Sequence, residues 1–118
     1  MIRAALISGF ATLALPAHAN EFLSLAMDAG AGVHAFGTAT SAGDAQTEAM
    51  GACSKLAKGC EIVVTRSGVC VSLAYDYSNG GFGVYTAGTA EVAEREALPH
   101  CASYGNPNCQ TVETVCAK

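Results

Sequence analysis

The side chains with the strongest intrinsic chemistry are six cysteines, Cys53, Cys60, Cys70, Cys101, Cys109 and Cys116. A nucleophilic or redox cysteine needs a thiolate beside a base, or a closely spaced partner. No two of these lie closer than seven residues, and their spacings fit no zinc knuckle. An even count in a short exported chain reads instead as a disulfide framework. Beyond the leader described below, two histidines offer bases: His34 lies in an apolar stretch, and His100, beside Cys101, is expected to face solvent. A relay of Ser24 or Ser72 with His34 and Asp28 can be drawn, but no nucleophile-elbow motif surrounds either serine. Asp28 and Asp76 lie at glycine-containing turns, where an aspartate caps the backbone. A calcium loop would need additional acids there. No catalytic residue, cofactor or metal site is expected, and the chain is read as not an enzyme.

The elements that must position these residues begin after a leader. Arg3, the apolar run from Ala4 to Leu15, Pro16 and the small residues of Ala17-His18-Ala19 read as a secretory signal peptide, residues 1–19, cleaved before Asn20. Twelve apolar residues are too few for a spanning helix, and no membrane insertion is expected after cleavage. Residues 20–118 then form a single disulfide-stapled domain. Loss of Arg3 leaves five basic residues against ten acidic ones. Without a Lys/Arg cluster, nucleic acid and anionic membrane are excluded as partners.

The domain is written twice. Residues 24–53 laid over 72–101, an offset of 48, give twelve identities in thirty positions without a gap. Among them Ser24-Leu25-Ala26 meets Ser72-Leu73-Ala74, Asp28 meets Asp76, Gly32 meets Gly80, and Cys53 meets Cys101. Cys60 follows onto Cys109, and Cys70 onto Cys116, which divides the domain at about 22–70 and 71–116.

Each copy reads as strand, turn, strand, helix, strand. The strands are expected at Phe22 to Met27, Val33 to Thr38 and Glu61 to Thr65, then at Val71 to Tyr77, Phe82 to Ala87 and Gln110 to Val115. Ser41 with Asp44, and Thr89 with Glu91, supply helix caps. Ala45, Ala49, Cys53 and Leu56 form a buried helical stripe, as do Ala93, Ala97, Cys101 and Tyr104. Pro99 should kink or shorten the second helix. The fold class is α+β, a tandem-duplicated β-β-α-β unit with about six mostly antiparallel strands in one sheet and both helices on one face.

Six cysteines allow fifteen pairings. The short helix-to-strand turns suit Cys53–Cys60 and Cys101–Cys109, and elimination leaves Cys70–Cys116 to bridge the two halves. Pairing of Cys70 and Cys116 between chains stays open at this stage, although a monomer is expected.

The Ser-Leu-Ala-Tyr-Asp strand at residues 72–76, the glycine turn, the alanine-rich helix ending in cysteine and the second cysteine within about eight residues occur twice. This arrangement resembles a small secreted bacterial family, domain of unknown function 4189. The resemblance covers residues 22–116 and departs from the family at Phe22, Phe36 and Pro99. It implies a periplasmic or secreted location and no particular activity.

The two copies differ most in aromatic content, since Tyr75, Tyr77 and Tyr85 stand where the first copy has Met27, Ala29 and Gly37. Tyr75 shares strand parity with Val71 and Leu73 and is assigned to the core. Tyr77 and Tyr85, with Asn79, Gly80 and Gly81, form the expected binding surface. The expected function is a non-enzymatic binding module of the bacterial envelope, with an inhibitor-like protein as one version. Its partner would be a protein or an envelope component. A small secreted hydrolase and a purely structural envelope protein are the alternatives.

Overall fold

The computed structural model describes residues 21–117, so the expected signal peptide, its expected cleavage point and Lys118 lie outside the described residues. Each copy folds as expected from its pattern. Strands β1 (Phe22–Asp28) and β2 (Val33–Ala39), helix α1 (Ala42–Ser54) and β3 (Glu61–Ser67) make the first. Strands β4 (Cys70–Asp76) and β5 (Gly81–Ala87), helix α2 (Ala90–Ala102) and β6 (Gln110–Cys116) make the second. Every pairing is antiparallel. Ser41 and Thr89 cap the helices as their sequence positions indicate, accepting hydrogen bonds from the Asp44 and Val92 amides.

The strands form two three-stranded sheets, β2-β1-β3 and β5-β4-β6, where a single sheet with both helices on one face was expected. The reason lies in the two faces of the central strands. Leu23, Leu25 and Met27 alternate with Ser24 and Ala26, and Val71, Leu73 and Tyr75 alternate with Ser72 and Ala74. The large residues of both copies form one buried cluster between the sheets. The small residues face outward, where Ala26 packs with Ala49 and Cys53, and Ala74 with Ala97 and Cys101. Two half-apolar sheets therefore stack large face to large face, and each takes its own helix on its outer, small face. The result is a four-layer helix–sheet–sheet–helix sandwich. Each large side chain buried between the sheets contributes about 1.5–3 kcal/mol.

Four further expectations are corrected. Cys70 opens β4 and does not close the first copy, so the division of the copies falls at Gly68–Val69. The three predicted cysteine pairs are present within the chain, but Cys70–Cys116 links adjacent strands of the second sheet and does not join the halves. Its counterpart in the first sheet is the ladder pair Phe22–Ser67. Pro99 neither shortens nor ends its helix: α2 keeps thirteen residues, as α1 does, and Ser103 N–H donates to the Pro99 carbonyl at 2.9 Å. Finally, the buried helical stripe stops at Cys53 and Cys101, while Leu56 and Tyr104, one turn later, are 72% and 65% exposed.

Buried polar groups repeat with the fold. Ser24 Oγ meets Thr65 Oγ1, which accepts from Gln46 of α1. Ser72 Oγ meets Thr114 Oγ1, which donates to Glu94 of α2. Asp28 and Asp76 are turn caps in both copies, and each also reaches across to the loop that follows its helix. Asp28 accepts from the Ala31 and Gly59 amides, and Asp76 accepts from the Ser78 and Asn108 amides and from Ser78 Oγ. One carboxylate thus ties each hairpin to the loop beside its short-range disulfide.

Candidate functional site

The two lateral edges of the sandwich are built from different residues. At one edge β2 faces β6, and His34 Nε2 meets Glu113 Oε1 at 2.7 Å across the sheets. Phe36, Val112 and Val115 fill the space behind this pair and pack on the core. At the other edge β3 faces β5, and the copy-related positions hold Phe82 for His34, Val64 for Glu113, Val84 for Phe36 and Arg66 for Val115. Among the described residues no side-chain pair bridges the sheets there in the way that His34 and Glu113 do, and two positions lose apolar volume. The edge opens as a groove of about 840 Å³, lined by Val63, Val64 and Arg66 of β3, by Gly80 to Thr86 of the second hairpin, and by His100, Tyr104 and Asn106.

The helices also differ in where they approach their sheets. A Cβ at Gly37 would lie 2.5 Å from Ala45 O and Ala49 N, so α1 presses on its sheet near its middle. In the second copy Tyr85 holds that position, and the close approach moves to Gly83, where a Cβ would meet Cys101 N at 2.5 Å. Helix α2 thus touches down at its end. Such approaches require glycine because a methyl group would overlap helix backbone. His100 is then half-buried among rings, edge-on to Tyr85 at 6.1 Å and to Tyr104 at 5.1 Å between centroids. Its Nε2 lies 3.1 Å from Tyr104 Oη, so its place is in the groove wall and not in open solvent.

Of the expected surface, the structure brings Gly80, Gly81 and Tyr85 to this groove and leaves Tyr77 elsewhere. Tyr77 is 57% exposed at the hairpin tip, where its ring meets Tyr75 edge-on at 4.6 Å and lies over Gly32 of the first copy. Asn79 is committed to the turn: its Oδ1 accepts from Gly81 N–H and its Nδ2 donates to Asn106. Asn106 fills the space that a side chain at Gly81 would need. Tyr75 is buried, as expected, and its hydroxyl donates to the Ala29 carbonyl of the first copy. Burial chiefly, and then Tyr77, Asp28 and Asp76 nearby, push its phenol above the ordinary range.

Residues of the drawn serine relay are not brought together. Ser24 bonds to Thr65 under α1, Asp28 to its turn, and His34 to Glu113 on the other side of the sheet. Among the described residues no group of three or more His, Cys, Asp or Glu side chains is arranged to hold a metal ion. The groove lining carries Arg66, His100 and two tyrosine hydroxyls as its titratable groups, with no carboxylate and no thiol. What this arrangement can do is bind: rings, β-branched side chains and one guanidinium line an open slot. Sequence reasoning found Tyr85 but missed Arg66, His100 and Tyr104. Their signal was available in the copies, since Arg66 replaces Val115 and Tyr104 replaces Leu56.

Among the described residues no helix is long and apolar enough to cross a membrane. The family model described as Domain of unknown function (DUF4189) matches residues 18–116. Neither a curated protein nor a solved structure matches the chain.

Proposed function

The chain belongs to the DUF4189 family, and from that premise we propose that it is an exported, non-enzymatic binding module whose ligand site is the groove between β3 and β5. Its partner is a protein or another component of the bacterial envelope. The observation that carries this reading is the concentration of exposed apolar surface in one place. Six large apolar side chains are exposed among the described residues, and three of them, Val63, Tyr85 and Tyr104, line the groove. Rings held in a concave site on a rigid frame are the usual anchors of an interface. Three disulfides in so small a domain fit an oxidising compartment outside the cytoplasm.

The test is capture of envelope components on the immobilised, disulfide-bonded protein, compared with Tyr85→Ser/Tyr104→Ser and with Tyr77→Ser. Loss of capture in the double variant, with thermal unfolding unchanged, is the expected result. Capture that survives the double variant and vanishes in Tyr77→Ser would move the site to the hairpin tip. A double variant that melts much earlier would make these rings structural.

A further inference from the structure

Resting on the binding-module reading, we propose that the groove takes an extended peptide segment bearing a carboxylate, which adds as a strand along the free edge of β5 and sets that carboxylate against Arg66. Four strands lie at sheet edges, and three of them carry features that discourage further pairing. Strand β3 has Glu61 and Arg66, and its ladder with β1 shifts register beside Leu25. Strand β6 has Glu113 and a register shift beside Leu73. Strand β2 is tied across the sandwich through His34. Strand β5, Gly-Phe-Gly-Val-Tyr-Thr-Ala, has no charge and no proline, and its register with β4 is unbroken. Among the described residues it pairs with β4 alone. An unprotected edge of seven residues presents a row of backbone donors and acceptors about 23 Å long, a template for one more strand.

The groove contributes specificity that a bare edge lacks. Its residues come from both sides of β5: Phe82, Val84 and Thr86 face between the sheets, while Tyr85 turns toward His100 and Tyr104. A peptide on this edge would alternate its side chains between those two walls. Charge selects its chemistry. The chain has ten acidic residues against six basic ones, yet the groove holds a guanidinium and no carboxylate. Arg66 pairs in register with Leu23, at the end of the groove away from the hairpin tip. An acidic side chain or a terminal carboxylate at that end would find a fork of donors.

The experiment pans the purified, disulfide-bonded protein against random seven-residue peptides with free C termini. Isotope-labelled protein is then titrated with a selected peptide, both free and C-terminally amidated. The expected result is selection of peptides that carry Asp or Glu, or that require the free terminus, with slowed amide exchange across Gly81–Ala87. Amidation distinguishes the two sources of the carboxylate. Arg66→Gln should weaken binding by roughly ten- to a hundred-fold, as loss of a charge-assisted contact does, without lowering thermal stability. Val84→Pro and Tyr85→Pro probe adjacent backbone amides: one should abolish binding in a folded protein, and the other should unfold it by breaking the β4 ladder.

Affinity unmoved by Arg66→Gln, or exchange protection confined to other strands, would overturn the proposal. So would a β5–β5 dimer that forms with concentration and excludes peptide. If no peptide is selected while capture of an envelope glycan still depends on Tyr104, the peptide inference falls and the binding module stands. If neither is captured, both fall.

Discussion

The β2/β6 and β3/β5 edges descend from one pattern and end as opposites, one sealed and one open. The seal needs two replacements that cooperate. His34 and Glu113 join the sheets at 2.7 Å, and Phe36 with Val115 fills behind them. At the open edge each copy-related residue is individually well suited to a strand, and Phe82, Val64 and Val84 all pack on the core. What is missing is a cross-sheet partner and enough volume at the rim. A duplicated domain can therefore acquire a site without adding a loop, by letting one of two equivalent seams stay unfilled. Tyr85 stands in place of Gly37, and the close approach of helix to sheet lies near the helix end in the second copy where it lies at the middle in the first.

The largest expected difference between the halves lies in the Cys70–Cys116 bridge, which the first copy lacks. It closes a loop 46 residues long in sequence separation, and Cys70→Ala/Cys116→Ala should cost about 4 kcal/mol by loop entropy, against about 2.5 kcal/mol for either short bridge. Denaturant midpoints at constant m-value measure this. A loss equal to that from Cys53→Ala/Cys60→Ala would show that the position, and not the loop length, sets the contribution. Phe22→Cys/Ser67→Cys, at the equivalent ladder pair, should restore part of the lost stability.

Next in size are the two glycines under the helices. Gly37→Ala and Gly83→Ala each force a methyl group against helix backbone at 2.5 Å, and each should cost about 1–3 kcal/mol. Hydrogen exchange should locate the damage differently, around Ala45–Ala49 in the first case and around Cys101 in the second. Damage spread equally over both helices in either variant would contradict the separate placement of the two contacts.

How much of this was legible in the sequence depends on which residues are asked. The copies, the caps, the small helical stripes and the three cysteine pairs follow from identities at a fixed offset and from side-chain type, both of which are local. The stacking of two sheets did not follow, although its cause was in plain view: Leu23, Leu25 and Met27 alternate with Ser24 and Ala26, one face for a sheet and one for a helix. Reading the small face alone placed the helices and left the large face without a partner. Tyr85 was legible as a difference between copies. Arg66 and Tyr104 also differ between the copies, but their place in one groove was not legible, because which strand edges face one another is a property of the stacked pair. Tyr104 also looked like the next buried step of the α2 stripe, which ends three residues earlier at Cys101.

A smaller effect follows from exchanging the seams. Arg66→Val with Val84→Phe gives the open edge the residues of the closed one, and should fill the groove and remove capture while changing stability by about 1 kcal/mol or less. Glu113→Val works in the opposite sense: it strips His34 of its partner and should cost roughly 1 kcal/mol. Thermal unfolding together with the capture assay reads both. If the filled groove still captures its ligand, the seam is not the site.

The smallest effect is confined to acid, and it concerns the paired aspartates. Asp76 is fully buried, and hydrogen bonds hold its carboxyl below the ordinary range, chiefly the one from the Ser78 hydroxyl and then those from the Asn108, Ser78 and Asn79 amides, while burial acts in the opposite sense. A carboxyl whose folded value lies below its unfolded value of about 3.9 binds protons more readily when unfolded, so its contribution is present above that pH and is lost as the pH falls through the folded value. Thermal stability should therefore decline below about pH 4. Asp76→Asn should flatten that decline, because it removes the titrating group. Ser78→Ala should shorten the decline from the acid side, because it removes the bond that lowers the carboxyl most. Melting temperatures measured from about pH 2 to pH 6 give the slope for each protein. A slope in Asp76→Asn as steep as in the parent would assign the acid response to other carboxylates, and would leave this buried group a purely geometric tie between the second hairpin and the loop before β6.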